Sequence, residues 1–122
     1  MITLATLKDA TEQEVFDQVY VHLLTQNERS VNELSGCSYR SGNLKCAAGC
    51  LIDDSEYRSE MDRNPNGMSG WRKLVSIGLV PDSHCYLIRR LQEVHDACDV
   101  HEWKEVLNSL AKEFNLTVPK LY

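Results

Sequence analysis

Proline occurs three times in this chain and glycine six times, too few for a collagen-like or low-complexity polypeptide. Apolar runs are only a few residues long, far short of the roughly twenty that a membrane-spanning helix needs. The opening residues, MITLATLKDATEQE, lack the charged start, apolar stretch and small-residue cleavage site of a secretory signal. Basic residues are outnumbered, 13 against 18 acidic, for a net charge of -5. No basic stripe is visible, which argues against general nucleic-acid binding. No two cysteines are separated by two residues, so the usual redox motif is missing. There is no phosphate-cradling glycine loop, dinucleotide fingerprint, nucleophile elbow or metalloprotease helix. These absences close the commonest routes to an enzyme and to a membrane protein. They make the cytoplasm the expected compartment, where the five cysteines stay reduced. An odd cysteine count also argues against a complete disulfide framework.

What remains is a chain of 122 residues, 43% hydrophobic, long enough to bury a core without metal or disulfide staples. We read residues 1–122 as a single globular domain. Thr11 and Glu14 form a capping box, and Val15, Phe16, Val19, Tyr20, Leu23 and Leu24 then recur at helical spacing, predicting a helix over 11–27. CSYR, SGN and LKC read as a small β-hairpin, with Gly42 and Asn43 in its turn. Ala47, Ala48 and Gly49 are small and permit close approach of another element. DDSE predicts a helix from Asp54 to about Arg63, with Tyr57 and Met61 on one face. RNPNGMSG is the clearest loop, after which Ser69 caps a short helix carrying Trp71, Leu74 and Val75. Ser83 opens a helix over 83–98, with Leu87, Ile88, Leu91, Val94 and Cys98 on its apolar face. Asp99 and Glu102 form a second capping pair before a helix lined by Trp103, Val106, Leu107, Leu110 and Phe114. Asn115 suits the left-handed end of that helix, and the tail docks through Leu116 and Val118. The last two helices, joined tightly at CDVH, pack as an antiparallel pair. The expected fold is mainly helical α+β, with about four to five helices and one small hairpin.

Chemistry concentrates around the hairpin. Cys37, Cys46 and Cys50 with one histidine form a conceivable zinc set, although no known finger spacing fits. Cys46 and Cys50 equally have the spacing of two residues buried on one helical face, and free cysteine packs as a small hydrophobe. Packing is the favoured reading, with no cofactor expected. Tyr39, Arg40 and Lys45 place an aromatic ring and two cations on short strands, a set able to hold an anion or a base. Trp71 is an aromatic anchor next to the loop, and Arg89 and Arg90 offer further cations. His95 fits a hydrogen-bonded place at the core edge. His101, in the first turn of its helix, meets the positive end of the helix dipole. The acidic run at 53–56 lacks the spacing of a calcium loop and suits capping instead.

The stretch CSYRSGNLKCAAGCLIDDSEY, with a following loop and a late LQEVHD and Trp103, resembles a family of small proteins encoded by tailed bacteriophages and prophages. The shared pattern falls on Tyr39, Arg40, Gly42, Lys45, Cys46, Ala47, Gly49, Leu51, Ile52, Asp53 and Tyr57. It covers roughly residues 10–115, most specifically the central twenty. The resemblance implies that Ala is accepted where Cys50 stands, which speaks against an obligatory Cys46–Cys50 metal pair. It implies an origin rather than a mechanism, and small acidic phage proteins are often accessory factors. The expectation is therefore a non-enzymatic accessory protein that binds and modulates a bacterial host protein, in an anti-defence or host-takeover role. Its surface would be the hairpin, the RNPNGMSG loop and Trp71. The alternative is a protein that sequesters an anionic small molecule such as a nucleotide signal, using Arg40, Lys45 and Arg89 or Arg90 on phosphate with Tyr39 or Trp71 stacking. A zinc-stabilised module is the third reading. Two tryptophans and several tyrosines in so small a chain are also compatible with a homodimer.

Overall fold

The computed structural model describes residues 1–31, 37–62 and 70–120. Four α-helices stand in chain order: α1 (Glu12–Gln26), α2 (Trp71–Ser76), α3 (Cys85–Ala97) and α4 (Trp103–Glu113). One antiparallel hairpin joins β1 (Arg40–Ser41) to β2 (Leu44–Lys45), with Arg40 opposite Lys45 and Ser41 opposite Leu44. The protein is thus a mainly helical α+β fold, as the hydrophobic periodicity predicts.

The capping box at the start of α1 is present in both directions. Thr11 accepts from the Glu14 amide at 3.1 Å, and the Glu14 carboxylate accepts from the Thr11 amide at 2.9 Å. The helix stops at Asn27, whose φ of 52° turns the chain into the left-handed region. Val15, Phe16, Val19, Tyr20 and Leu23 form its buried stripe. That stripe packs on α3 and α4 and on a 3-10 turn at Ala48–Leu51. Arg90, early in α3, bonds Glu113 at the end of α4, while Asp99 and Glu102 cap the junction between them. The two helices therefore run antiparallel, as their short connection requires.

The hairpin is too short to stand alone, and α1 holds it. The Gln26 side chain accepts from the Lys45 amide at 3.0 Å and donates to the Lys45 carbonyl at 2.8 Å, as a neighbouring strand would. Gly42 has φ 61° at the first turn position, and Asn43 is not in the positive-φ region. This is the pattern of a hairpin turn that needs glycine only at its first central residue. Gly49 lies directly on Tyr39, where an added Cβ would collide with the Tyr39 carbonyl. The small residues 47–49 are indeed the place of close approach.

Three local expectations are corrected. No α-helix forms over the described residues 54–62. The Asp53 carboxylate instead accepts from the Ser55 amide and hydroxyl, and Glu56 reaches back to the amides of Leu4, Ala5 and Asp53. Side chains that satisfy backbone donors this way compete with helix formation, and only a 3-10 turn at Ser59–Met61 follows. Helix α3 begins at Cys85 rather than Ser83, because His84 takes φ 57° and its ring bonds the Ala10 carbonyl at 2.7 Å. In the tail Leu116 packs on the core, but Val118 is exposed. Thr117 is held instead by Gln13, which bonds both its amide and its carbonyl. The RNPNGMSG loop, apart from Gly70, and the Ser69 cap lie outside the described residues.

Candidate functional site

The hairpin corner is built as packing. Cys46 is fully buried, and its sulfur accepts from the Gly49 amide at 3.2 Å. Cys50 donates its thiol to the Ala47 carbonyl at 3.1 Å. Burial pushes the Cys50 thiol up to about 12 and raises Cys46 well above its ordinary value. Neither is a thiolate at neutral pH, so neither is a ready nucleophile. Cys37 lies elsewhere, beside His95 and Asp96. Among the described residues Cys37, Cys46 and Cys50 do not form one close ligand group, and Cys46 and Cys50 are engaged in local backbone contacts.

The aromatic and cationic residues of the corner also turn inward. Tyr39 is 0% exposed and Trp71 only 3%, and their rings meet at 6.3 Å. Arg40 donates to the carbonyls of Gly49 and Ile52 at 2.9 and 2.7 Å and to Asp54 at 3.1 Å. Its guanidinium lies over the Tyr57 ring at 5.1 Å. Asp62 completes the corner, accepting from the amides of Tyr39 and Arg40 and from the Tyr57 hydroxyl. Lys45 pairs with Asp54 at 3.7 Å, and Arg90 with Glu113 and Glu93. Tyr39, Arg40 and Trp71 thus hold the fold together instead of facing a partner. Sequence reasoning had no signal for this, because an aromatic–arginine cluster looks the same at an interface and in a corner.

A second cluster has the composition of a catalytic triad. His95 is fully buried and stacks on Trp103, with ring centroids 5.6 Å apart. Its Nε2 accepts from the Ser30 amide at 3.0 Å, which leaves Nδ1 as the protonated nitrogen, donating to Asp96 at 2.8 Å. Burial opposes the Asp96 charge, but hydrogen bonds from His95, Cys37 and Gln92 outweigh it and hold the carboxyl below its ordinary value. Burial and the bond to Asp96 push the Cys37 thiol up to about 11. The histidine lone pair is occupied by a backbone donor and the sulfur keeps its proton, so the base–nucleophile relation is missing. A metal on Cys37, His95 Nδ1 and Asp96 would force the proton onto Nε2, against the Ser30 N–H. The geometry is that of a polar brace around a buried histidine, as His95's place on the apolar face suggested. The other close ligand group, Asp99, His101 and Glu102, is fully exposed, and its carboxylates are engaged in the capping box.

Two of the surface concavities bear on the residues singled out from the sequence. A groove of about 560 Å³ runs along α1, lined by Met1, Val21, His22, Thr25, Lys45 and Cys50 among others. Several of its polar side chains are already engaged: Gln18 bonds Ile2 and the Cys50 carbonyl, and His22 Nε2 bonds the Lys45 carbonyl at 2.9 Å. Burial holds the His22 ring below its ordinary value, favouring the neutral form. The groove therefore offers mainly apolar surface, with Val21 39% exposed. A smaller cleft of about 290 Å³ lies between α2 and α3, lined by Trp71, Arg72, Arg89, Gln92, Glu93 and Asp96. It joins two residues chosen from the sequence, Trp71 and Arg89, and adds Arg72, which sequence reasoning missed. Spacing gave no hint that Arg72 and Arg89 share a site, since they lie on different helices. The Trp71 indole Nε1 is buried without an acceptor among the described residues, a condition that costs about 1–3 kcal/mol. Comparison with family models, curated proteins and solved structures finds no match to this chain.

Proposed function

We propose that this chain is a non-enzymatic phage or prophage accessory protein that binds and modulates a bacterial host protein in the host cytoplasm, in an anti-defence or host-takeover role. The groove along α1 carries this reading. Its volume of about 560 Å³ lies in the range of pockets that take a ligand or a partner's side chain, and several of its polar groups are bonded internally. Such a surface suits an apolar anchor residue of a partner, the kind of contact that dominates interface energetics. The resemblance in the central segment supplies the phage association, and the docking surface moves from the hairpin corner to α1. Self-association through the same groove is the competing occupancy.

The test is affinity capture from bacterial lysate with wild type and with Val21→Arg/Thr25→Arg, both exposed positions of α1. Wild type should retain one host protein at fixed stoichiometry. The variant, with an unchanged melting temperature, should bind the purified partner at least tenfold more weakly. Equal capture by both proteins refutes docking in the groove, and a wild-type homodimer that the variant abolishes assigns the groove to self-association.

A further inference from the structure

The cleft between α2 and α3 is independent of that groove. Its electrostatics follow from which charges are already engaged. Among its carboxylates, Asp96 accepts from His95 and from Gln92 at 2.7 Å, and Glu93 pairs with Arg90 at 3.7 Å. The Gln92 amide is turned inward, accepting from the Ala48 amide at 2.9 Å. Arg72 and Arg89 are exposed and form no ion pair with the described residues. Among the described residues the cleft thus presents two guanidinium groups that form no ion pair, beside the carboxylates of Glu93 and Asp96. Beside them is Trp71, whose buried indole N–H has no acceptor among the described residues. The two guanidinium groups are hydrogen-bond donors without acceptor capacity, whereas the Trp71 N–H is covered and forms part of the cleft's floor. The complement is a compact group of acceptor oxygens carrying negative charge. Guanidinium groups match phosphate by forked, charge-assisted hydrogen bonds.

We infer that the Arg72–Arg89 cleft is a binding site for a phosphate group, free or carried by a small phosphomonoester. At about 290 Å³ it stands at the small end of typical ligand pockets, ample for a phosphate group and a small ester attached to it. The Trp71 ring is covered, so recognition rests on the phosphate and not on stacking of a base.

Isothermal titration with inorganic phosphate and with adenosine monophosphate, at ionic strength held constant with sodium chloride, tests the site. One equivalent of phosphate should bind, and Arg72→Ala or Arg89→Ala should each weaken it about tenfold or more. Lysine at either position should restore only part of the loss, because it keeps the charge without the fork. Binding of both probes assigns the site to phosphomonoesters generally, and binding of inorganic phosphate alone assigns it to the free ion. Absence of saturable binding at millimolar phosphate overturns the inference. So does binding that survives in Arg72→Ala/Arg89→Ala. Both side chains are exposed, so the variants should fold, and the α1 groove is untouched; failure here leaves the host-protein reading standing.

Discussion

Arg40 binds the Ile52 carbonyl, to which no backbone donor is bonded among the described residues, and shares the Gly49 carbonyl with the Ile52 amide. Its side chain is only 12% exposed, so water cannot readily take its place. Arg40→Ala should leave the Ile52 carbonyl without its donor and cost about 1–3 kcal/mol, seen as a lower urea midpoint. Arg40→Lys should recover little, because one ammonium cannot reproduce the planar fork. A contact residue on an open surface would behave differently: alanine there would weaken binding and spare stability. The distinction matters because Tyr39, Arg40 and Trp71 are the residues that composition alone marks as binding anchors. At the same scale, His95 shows how little residue identity says about chemistry. Cysteine, histidine and aspartate stand together, yet the Ser30 amide holds the one nitrogen that a catalytic base would need free.

Among the elements, those whose information is local were legible. Helix α1 announces itself through Thr11, Glu14 and a sustained apolar stripe, and α4 through Asp99, Glu102 and Trp103. The hairpin follows from Gly42. The segment after Ile52 was misread because Asp53 and Glu56 fit a capping pattern but are recruited by distant backbone, including the amides of Leu4 and Ala5. No local rule sees a partner some fifty residues away. The candidate site was harder still, since grooves and clefts arise where elements meet. Val21 and Thr25 read only as the outer face of a helix. The residues at 47–49 make the opposite case, for small side chains advertise close approach directly. Gly49→Ala should drive a Cβ into the Tyr39 carbonyl and destabilise by about 1–3 kcal/mol. Chemical denaturation would measure this, with an unchanged circular dichroism spectrum showing that the helices persist.

For the molecule as a whole, the thiols set a limit at high pH. Cys37 and Cys50 are raised from an ordinary value of 9.0 to about 11 and about 12. The folded state therefore keeps protons that the unfolded chain releases. The sign follows: the contribution is full below pH 9, falls as pH rises through the interval, and is gone above the folded values. Urea midpoints should decline between pH 9 and pH 11, and Cys50→Ala should make that decline shallower. A midpoint independent of pH across this range would mean that the thiols are not held as described. One more consequence comes from Gln13, whose amide group clasps the backbone of Thr117 across 104 residues of sequence. Closing so long a loop carries an entropic cost that grows with its length, and the rate of self-assembly falls as contacts become less local. On that ground the seam should form late in the folding of this mainly helical chain, and Gln13→Ala should speed unfolding while leaving the refolding rate nearly unchanged.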